Sequence, residues 1–184
     1  MSNGLFRHQF LLAMPGSVSG NFDQSLTFIA EHNDDGAMGL VVNKPSDLSV
    51  GDMLAQMQID ADIHPGIPVY WGGPVQPERG FVLHRDEGEW ESTLHVGHGL
   101  AITTSRDILE AIGNGSGPAD YLIALGYAGW GDGQLENEML HNSWLNIPAD
   151  AQIIFDTPVA RRWAAAARLL GLEAHQLSTH VGHS

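Results

Sequence analysis

Glu31 and His32 set a carboxylate beside an imidazole, the pair that general acid–base catalysis draws on. They sit in a run, Leu26 to Asn33, that reads as a strand. Neighbouring strand side chains point to opposite faces, so both could line one pocket only across a bulge. Strand parity places His32 with Leu26, Phe28 and Ala30, as a hydrogen-bonded histidine at the core edge. It places Glu31 with Ile29 and Asn33. The same parity puts His84 with Val82, opposite Phe81 and Leu83.

Metal chemistry is the next class to weigh. The chain has ten histidines and no cysteine. No HExxH occurs, nor any histidine pair at i, i+4. His95 and His98 flank Gly97 in a strand-to-turn region, where exposed loop histidines are the commoner case. His175, His180 and His183 read as a solvated tail. The expectation is no metal and no cofactor. Without cysteine there is no disulfide, thiol nucleophile or zinc ribbon.

Gly72-Gly73-Pro74 could let backbone amides cradle an anion, but a tight turn between strands is the simpler reading. No GxxxxGK[ST], GxGxxG or GxSxG pattern occurs, so no phosphate loop or nucleophile elbow is present. Gln134, Glu138 and Asn142 fall at i, i+4 and i+8 of a helix and form a polar stripe. A solvated face explains such a stripe; the alternative is a hydrogen-bonding lattice under Trp130 and Trp144. Arg79 lies between turn-like segments beside Phe81-Val82-Leu83. Its guanidinium must be exposed, paired or waiting for an anion. The favoured expectation is an ion pair within the domain, with Glu31 as first choice.

The elements that must position these residues follow from the apolar pattern. Strands are expected at Gln9 to Met14, Leu26 to Asn33 and Ala37 to Asn43, with a hairpin turn at Asp34-Asp35-Gly36. Pro45 ends the third. Ser49 N-caps a helix through about Gln58. Strands follow near Pro68 to Trp71, Gly80 to His84, Trp90 to Val96 and Leu100 to Thr103. Ser105 caps a helix ending near Gly113, and Tyr121 to Tyr127 is a buried strand. Asp132 to Asn142 suits a helix; Trp144 to Ile147 and Gln152 to Phe155 suit strands. A last helix starts at Thr157-Pro158 and stops at Gly171. Regular βαβ alternation is missing, which points to an α+β fold.

Composition bounds the rest. A chain of 184 residues without repeats or linkers reads as one domain, 1–184. Lysine and arginine total 8 against 22 acidic residues, a formal charge of −14. Such a field repels nucleic acid and anionic membrane. The only basic cluster is Arg161, Arg162 and Arg168, so a helix-turn-helix lacks a basic recognition helix apart from that end. No apolar run approaches the ~18 residues of a membrane helix. Phe10 to Met14 is too short for a signal segment, and a cytoplasmic location is expected.

Four blocks are denser in special residues than a scaffold needs. They are Glu31-His32-Asn33 with Gly36 to Pro45; Gly72 to Val75 with Arg79 to His84; Leu125 to Trp130 with Gly133 to Glu136; and Asn142 to Leu145. In this order they resemble the AlgH/YqgE family of bacterial proteins. The resemblance runs from Phe10-Leu11-Leu12-Ala13-Met14-Pro15 to Gly182-His183. It implies an α+β fold whose mostly antiparallel, forked sheet curls into a pseudo-barrel with flanking helices. The family has no settled activity; its transcriptional-regulator label is not a mechanism. This chain departs from the family pattern after Pro15, where Ser17 and Ser19-Gly20 replace the usual Met and Asp-Pro.

The functional expectation is a non-catalytic binding or regulatory domain working through a protein partner or a small ligand. A transcriptional regulator and an enzyme with a carboxylate/histidine/arginine site are the alternatives. The residues on which any site or its scaffold is expected to rest are Glu31, His32, Asn43, Arg79, His84, Trp130, Gln134, Glu138, Asn142 and Trp144.

Overall fold

The computed structural model describes residues 4–16, 20–63 and 65–171. The departure at Ser17 and Ser19 and the tail histidines lie outside the described residues. The fold is α+β, as expected. Its strands are β1 (Gln9–Ala13), β2 (Leu26–Asn33), β3 (Gly36–Val41), β4 (Pro45–Ser49), β5 (Pro68–Trp71), β6 (Val75–Arg85), β7 (Thr93–His95), β8 (Leu100–Thr103), β9 (Tyr121–Trp130) and β10 (Trp144–Pro148). Among the described residues five α-helices accompany them: α1 (Val50–Gln56), α2 (Arg106–Asn114), α3 (Gln134–Leu140), α4 (Ala151–Phe155) and α5 (Arg162–Leu169).

Eight strands form one curled sheet in the order β10-β1-β2-β3-β9-β6-β8-β7, antiparallel throughout. The fork lies at β9. One of its edges pairs with β6, while the other takes β5 in parallel at Ala124 and Leu125 and β3 at Ala128 to Trp130. Two backbones must pass closely there. A Cβ on Gly72 would lie 2.3 Å from the Gly126 carbonyl oxygen, and one on Gly126 would lie 2.3 Å from that of Gly73. Only glycine permits that approach. Gly72 donates its N–H to Leu125 and accepts from Val41 N–H, so it joins strands and offers no anion cradle.

The continuous apolar runs have a simple cause: the strands are buried on both faces. Phe10 and Leu12 enter the main core with Phe28, Leu40, Phe81, Leu83 and Ile102, and α4 and α5 pack on the same cluster. Leu11 and Ala13 face the other way, with Ile29, Trp144 and Leu135 of α3. Val82 and Ile123 pack outward against α1 and α2.

The hairpin turn forms at Asp34-Asp35, with Asn33 opposite Gly36 and the Asn33 side-chain oxygen accepting from Asp35 N–H at 2.8 Å. Ser49 caps α1 by accepting from Asp52 N–H at 3.0 Å. Three expectations are corrected. Gln152 to Phe155 is helical, because Asp150 accepts from Gln152 N–H and nucleates a turn that the β-branched Ile153-Ile154 pair obscures. Pro45 ends no sheet contact; it opens β4, pairing with Tyr70. Pro158 stands before a short 3-10 turn, Val159–Arg161, and α5 begins only at Arg162.

Candidate functional site

A bulge decides which residues share a cavity. The β2–β3 register shifts between Ile29 and Glu31. Parity inverts beyond it, so the face expected for each of Glu31 and His32 is exchanged. Glu31, opposite Met38, joins Ala30 on the side of a cleft. His32, opposite Ala37, turns towards α3 and Phe6. His84 follows the expected parity: it lies opposite the Phe81/Leu83 face.

The cleft has a volume of about 810 Å³. Its lining includes Met38, Phe81, Ile102 and Tyr127, with Arg79 as its cation and Glu31, Asp35 and Glu91 as its carboxylates. Phe81 and Tyr127 meet edge to face at 5.9 Å. The Arg79 guanidinium lies over the Phe81 ring, 5.1 Å from its centre. Among the described residues it makes no ion pair. The expected Arg79–Glu31 bridge is therefore not formed, although both residues line the same cleft. The reason is local. Between Val75 and Gly80 the β6–β9 register slips, Gln76 takes a φ of +46°, and the strand leaves its neighbour. Arg79 is carried on that irregular stretch onto its own strand's Phe81.

His32 is buried, with its Nδ1 accepting from Phe6 N–H at 3.0 Å. The other ring nitrogen, Nε2, lies 3.3 Å from a carboxylate oxygen of Glu136. Its ring stacks on Phe6. His32 thus fastens the N-terminal segment and α3 to β2, outside the cleft.

His84 is fully buried. Its Nδ1 lies 2.7 Å from the Arg85 carbonyl, so Nδ1 carries the proton and Nε2 accepts from the Thr103 hydroxyl at 2.8 Å. Thr103 meets Thr93 at 2.8 Å, and Thr93 reaches the cleft. Burial, the largest influence, holds the His84 pKa below the ordinary histidine value, against the pull of the Arg85 carbonyl and Asp86. His95 behaves oppositely. It lies 2.7 Å from both Glu89 and Asp86, and these hydrogen bonds hold its pKa up. Among the described residues no group of histidines and carboxylates has the geometry of a metal site.

Glu138 organises the tryptophans. Its Oε1 accepts the indole N–H of Trp130 at 3.0 Å and of Trp144 at 2.9 Å, and its Oε2 accepts from Gln134 at 2.9 Å. Gln134 in turn accepts from Gly131 N–H at 2.9 Å. The polar stripe is thus a lattice joining β9, α3 and β10 rather than a solvated face. Trp130 also reaches the cleft rim. Asn142 stands apart from the lattice. It takes φ +59° just past α3, donates its N–H to the Met139 carbonyl, and leaves Ser143 N–H to the Glu138 carbonyl. That is a helix-ending turn in which Asn stands where glycine is usual.

Asn43 holds the chain before β2: its side-chain oxygen accepts from Leu26 N–H at 2.9 Å and its amide donates to the Gln24 carbonyl at 3.0 Å. The structure thus brings Glu31, Arg79 and the Trp130 rim to one cleft. It places His32, Asn43, His84, Gln134, Glu138, Asn142 and Trp144 in supporting positions. Tyr127, Phe81, Glu91 and Asp35 were not singled out from the sequence. Apolar strand positions carry no local mark of a cavity, and Glu91 and Asp35 read there as surface charge.

A family model described as AlgH-like matches residues 10–175. A UPF0301 protein of Methylococcus capsulatus is 51% identical over 178 residues, 96% of this chain and 95% of that protein. One from Saccharophagus degradans is 54% identical over 179 residues, covering 97% and 88%. The solution structure of the AlgH protein from Pseudomonas aeruginosa matches with a TM-score of 0.77 at 48% identity, over 93% of this chain and 92% of that one. A Corynebacterium diphtheriae protein matches at 0.72 with 20% identity, over 91% and 93%, a likeness of fold alone. None of these descriptions states an activity.

Proposed function

This chain belongs to the AlgH-like family, and from that premise we propose that it is a non-catalytic binding domain that holds a small organic ligand in the cleft between β2–β3 and β7. The observation that carries the reading is Arg79. Arg79 is exposed, and its guanidinium lines a largely apolar cleft that it shares with carboxylates with which it forms no ion pair. A cation in a chain of −14 has many internal partners to choose from. One left on an aromatic ring is available to a ligand.

The enzyme reading has less support. Glu31 and Arg79 share the cleft, but His84 lies on the opposite face and its burial favours the neutral ring. The regulator reading loses its basic helix. Arg162 is buried and donates to the Val42 carbonyl at 2.7 Å, so it serves the core rather than a DNA backbone. Among the described residues no helix is long and apolar enough to cross a membrane.

The test is a thermal-shift screen of small metabolites on wild type and Arg79→Ala. A ligand at about 100 times its Kd adds about 2.7 kcal/mol of stability. The expected hit stabilises wild type and loses that effect in the variant. Hits that stabilise both proteins equally would place binding elsewhere and overturn the reading.

A further inference from the structure

The charges of the cleft narrow the class of ligand. Three carboxylates, from Glu31, Asp35 and Glu91, line it beside the one guanidinium of Arg79. Among the described residues these groups leave the lining at −2. A simple anion meets Arg79 but also this excess of negative charge, in a chain that is itself at −14. A dianionic phosphate fares worse: no lysine lines the cleft. A simple cation is drawn by the carboxylates yet repelled by the guanidinium that lies over Phe81. A molecule carrying both charges satisfies both sets, and the fact that the two sets do not neutralise each other leaves each one open.

The space between these charges is apolar. Phe81 and Tyr127 form an edge-to-face pair, with Met38, Val75 and Ile102 around them. A volume of about 810 Å³ suits a body larger than a single small metabolite fragment. Resting on the binding-domain reading above, we propose that the ligand is a small zwitterion with an apolar or aromatic body. Its carboxylate pairs with Arg79 and its ammonium lies among Glu31, Asp35 and Glu91. Free hydrophobic amino acids are the simplest molecules of this class, and hydrophobic dipeptides are the members whose size better fits a cleft of about 810 Å³.

The experiment uses the full chain and isothermal titration with four probes: a leucyl-phenylalanine dipeptide, its N-acetyl form, its C-terminal amide and the doubly blocked molecule. The free dipeptide should bind, and blocking either end should weaken binding by about tenfold or more, the worth of one charge-assisted hydrogen bond. In Arg79→Gln the free acid and the amide should bind alike. In Glu31→Gln the penalty for N-acetylation should shrink. Circular dichroism confirms that both variants are folded, and neither residue makes an ion pair whose loss would unfold the domain.

An N-acetyl form that binds as well as the free dipeptide would show an anion site; an amide that does so would show a cation site. Either overturns the zwitterion while leaving a ligand cleft in place. Binding that survives unchanged in both variants also overturns it. If none of the four binds, but a screened molecule without paired charges binds at Arg79, the zwitterion is wrong and the cleft reading stands. Failure of every probe and every screened molecule overturns both.

Discussion

Trp130 and Trp144 donate their indole N–H groups to the same oxygen of Glu138, at 3.0 and 2.9 Å, while their rings meet edge to face at 6.0 Å. Both rings are nearly buried. Removing the carboxylate leaves two indole donors short of a partner. Glu138→Ala should therefore cost about 3 kcal/mol, the order expected for hydrogen bonds to a charged group lost from a protected position. Urea unfolding followed by tryptophan fluorescence measures it. A loss below about 1 kcal/mol would mean that water replaces the carboxylate freely.

Arg79 gives the opposite expectation. Since it forms no ion pair, Arg79→Ala forfeits only its contact with Phe81 and should change stability by less than about 1 kcal/mol. Glu31→Gln should be similarly mild, and the double variant should show the sum of the two. A cost of about 3–5 kcal/mol for Arg79→Ala would instead reveal a structural bridge to a carboxylate. Double-variant urea melts decide between them.

The two histidines of the β6–β8 region should titrate on opposite sides of the ordinary value. Burial holds His84 down, so the unfolded chain takes up a proton near pH ~6.5 that the folded ring refuses. Its contribution to stability is complete above that pH and is lost as pH falls through the folded value. His8, also held down chiefly by burial, acts in the same sense. His95, held up first by Glu89 and then by Asp86, contributes below pH ~6.5 and loses that contribution as pH rises through its folded value. Imidazole NMR titration reads the rings separately. A His84 ring that protonates at or above the His95 midpoint would contradict the buried hydrogen-bond chain through Thr103.

Duplex DNA should not bind at physiological salt. The charge is −14, and Arg162, one of three arginines in the only basic cluster, is spent on the Val42 and Thr157 carbonyls. Fluorescence anisotropy with mixed-sequence DNA near 150 mM salt, where the Debye length is about 8 Å, provides the measurement. Micromolar binding with a steep salt slope would restore the regulator reading.

The element menu and the family are legible in the residues alone. The β2–β3 hairpin, the Ser49 cap and the strands at Leu26–Asn33, Pro68–Trp71 and Leu100–Thr103 are local: turn chemistry, capping and apolar runs act within a few residues. The AlgH-like resemblance rested on four blocks, and the family match covers residues 10–175. Only the tertiary structure decided which face each strand residue takes. A single register shift at Ile29/Glu31 exchanges the places of Glu31 and His32, and nothing in the run LTFIAEHN marks it, because a bulge is set by the partner strand as much as by the strand itself. Arg79 and Glu31 line one cleft without the ion pair expected of them. What the Arg79 guanidinium meets depends on the slip of β6 against β9, more than forty residues downstream. The lattice at Glu138 likewise exists only because β9, α3 and β10 fold back on one another, bringing two indoles to one carboxylate. Periodicity names a polar stripe, but whether water or tryptophan faces it is settled by packing at long range.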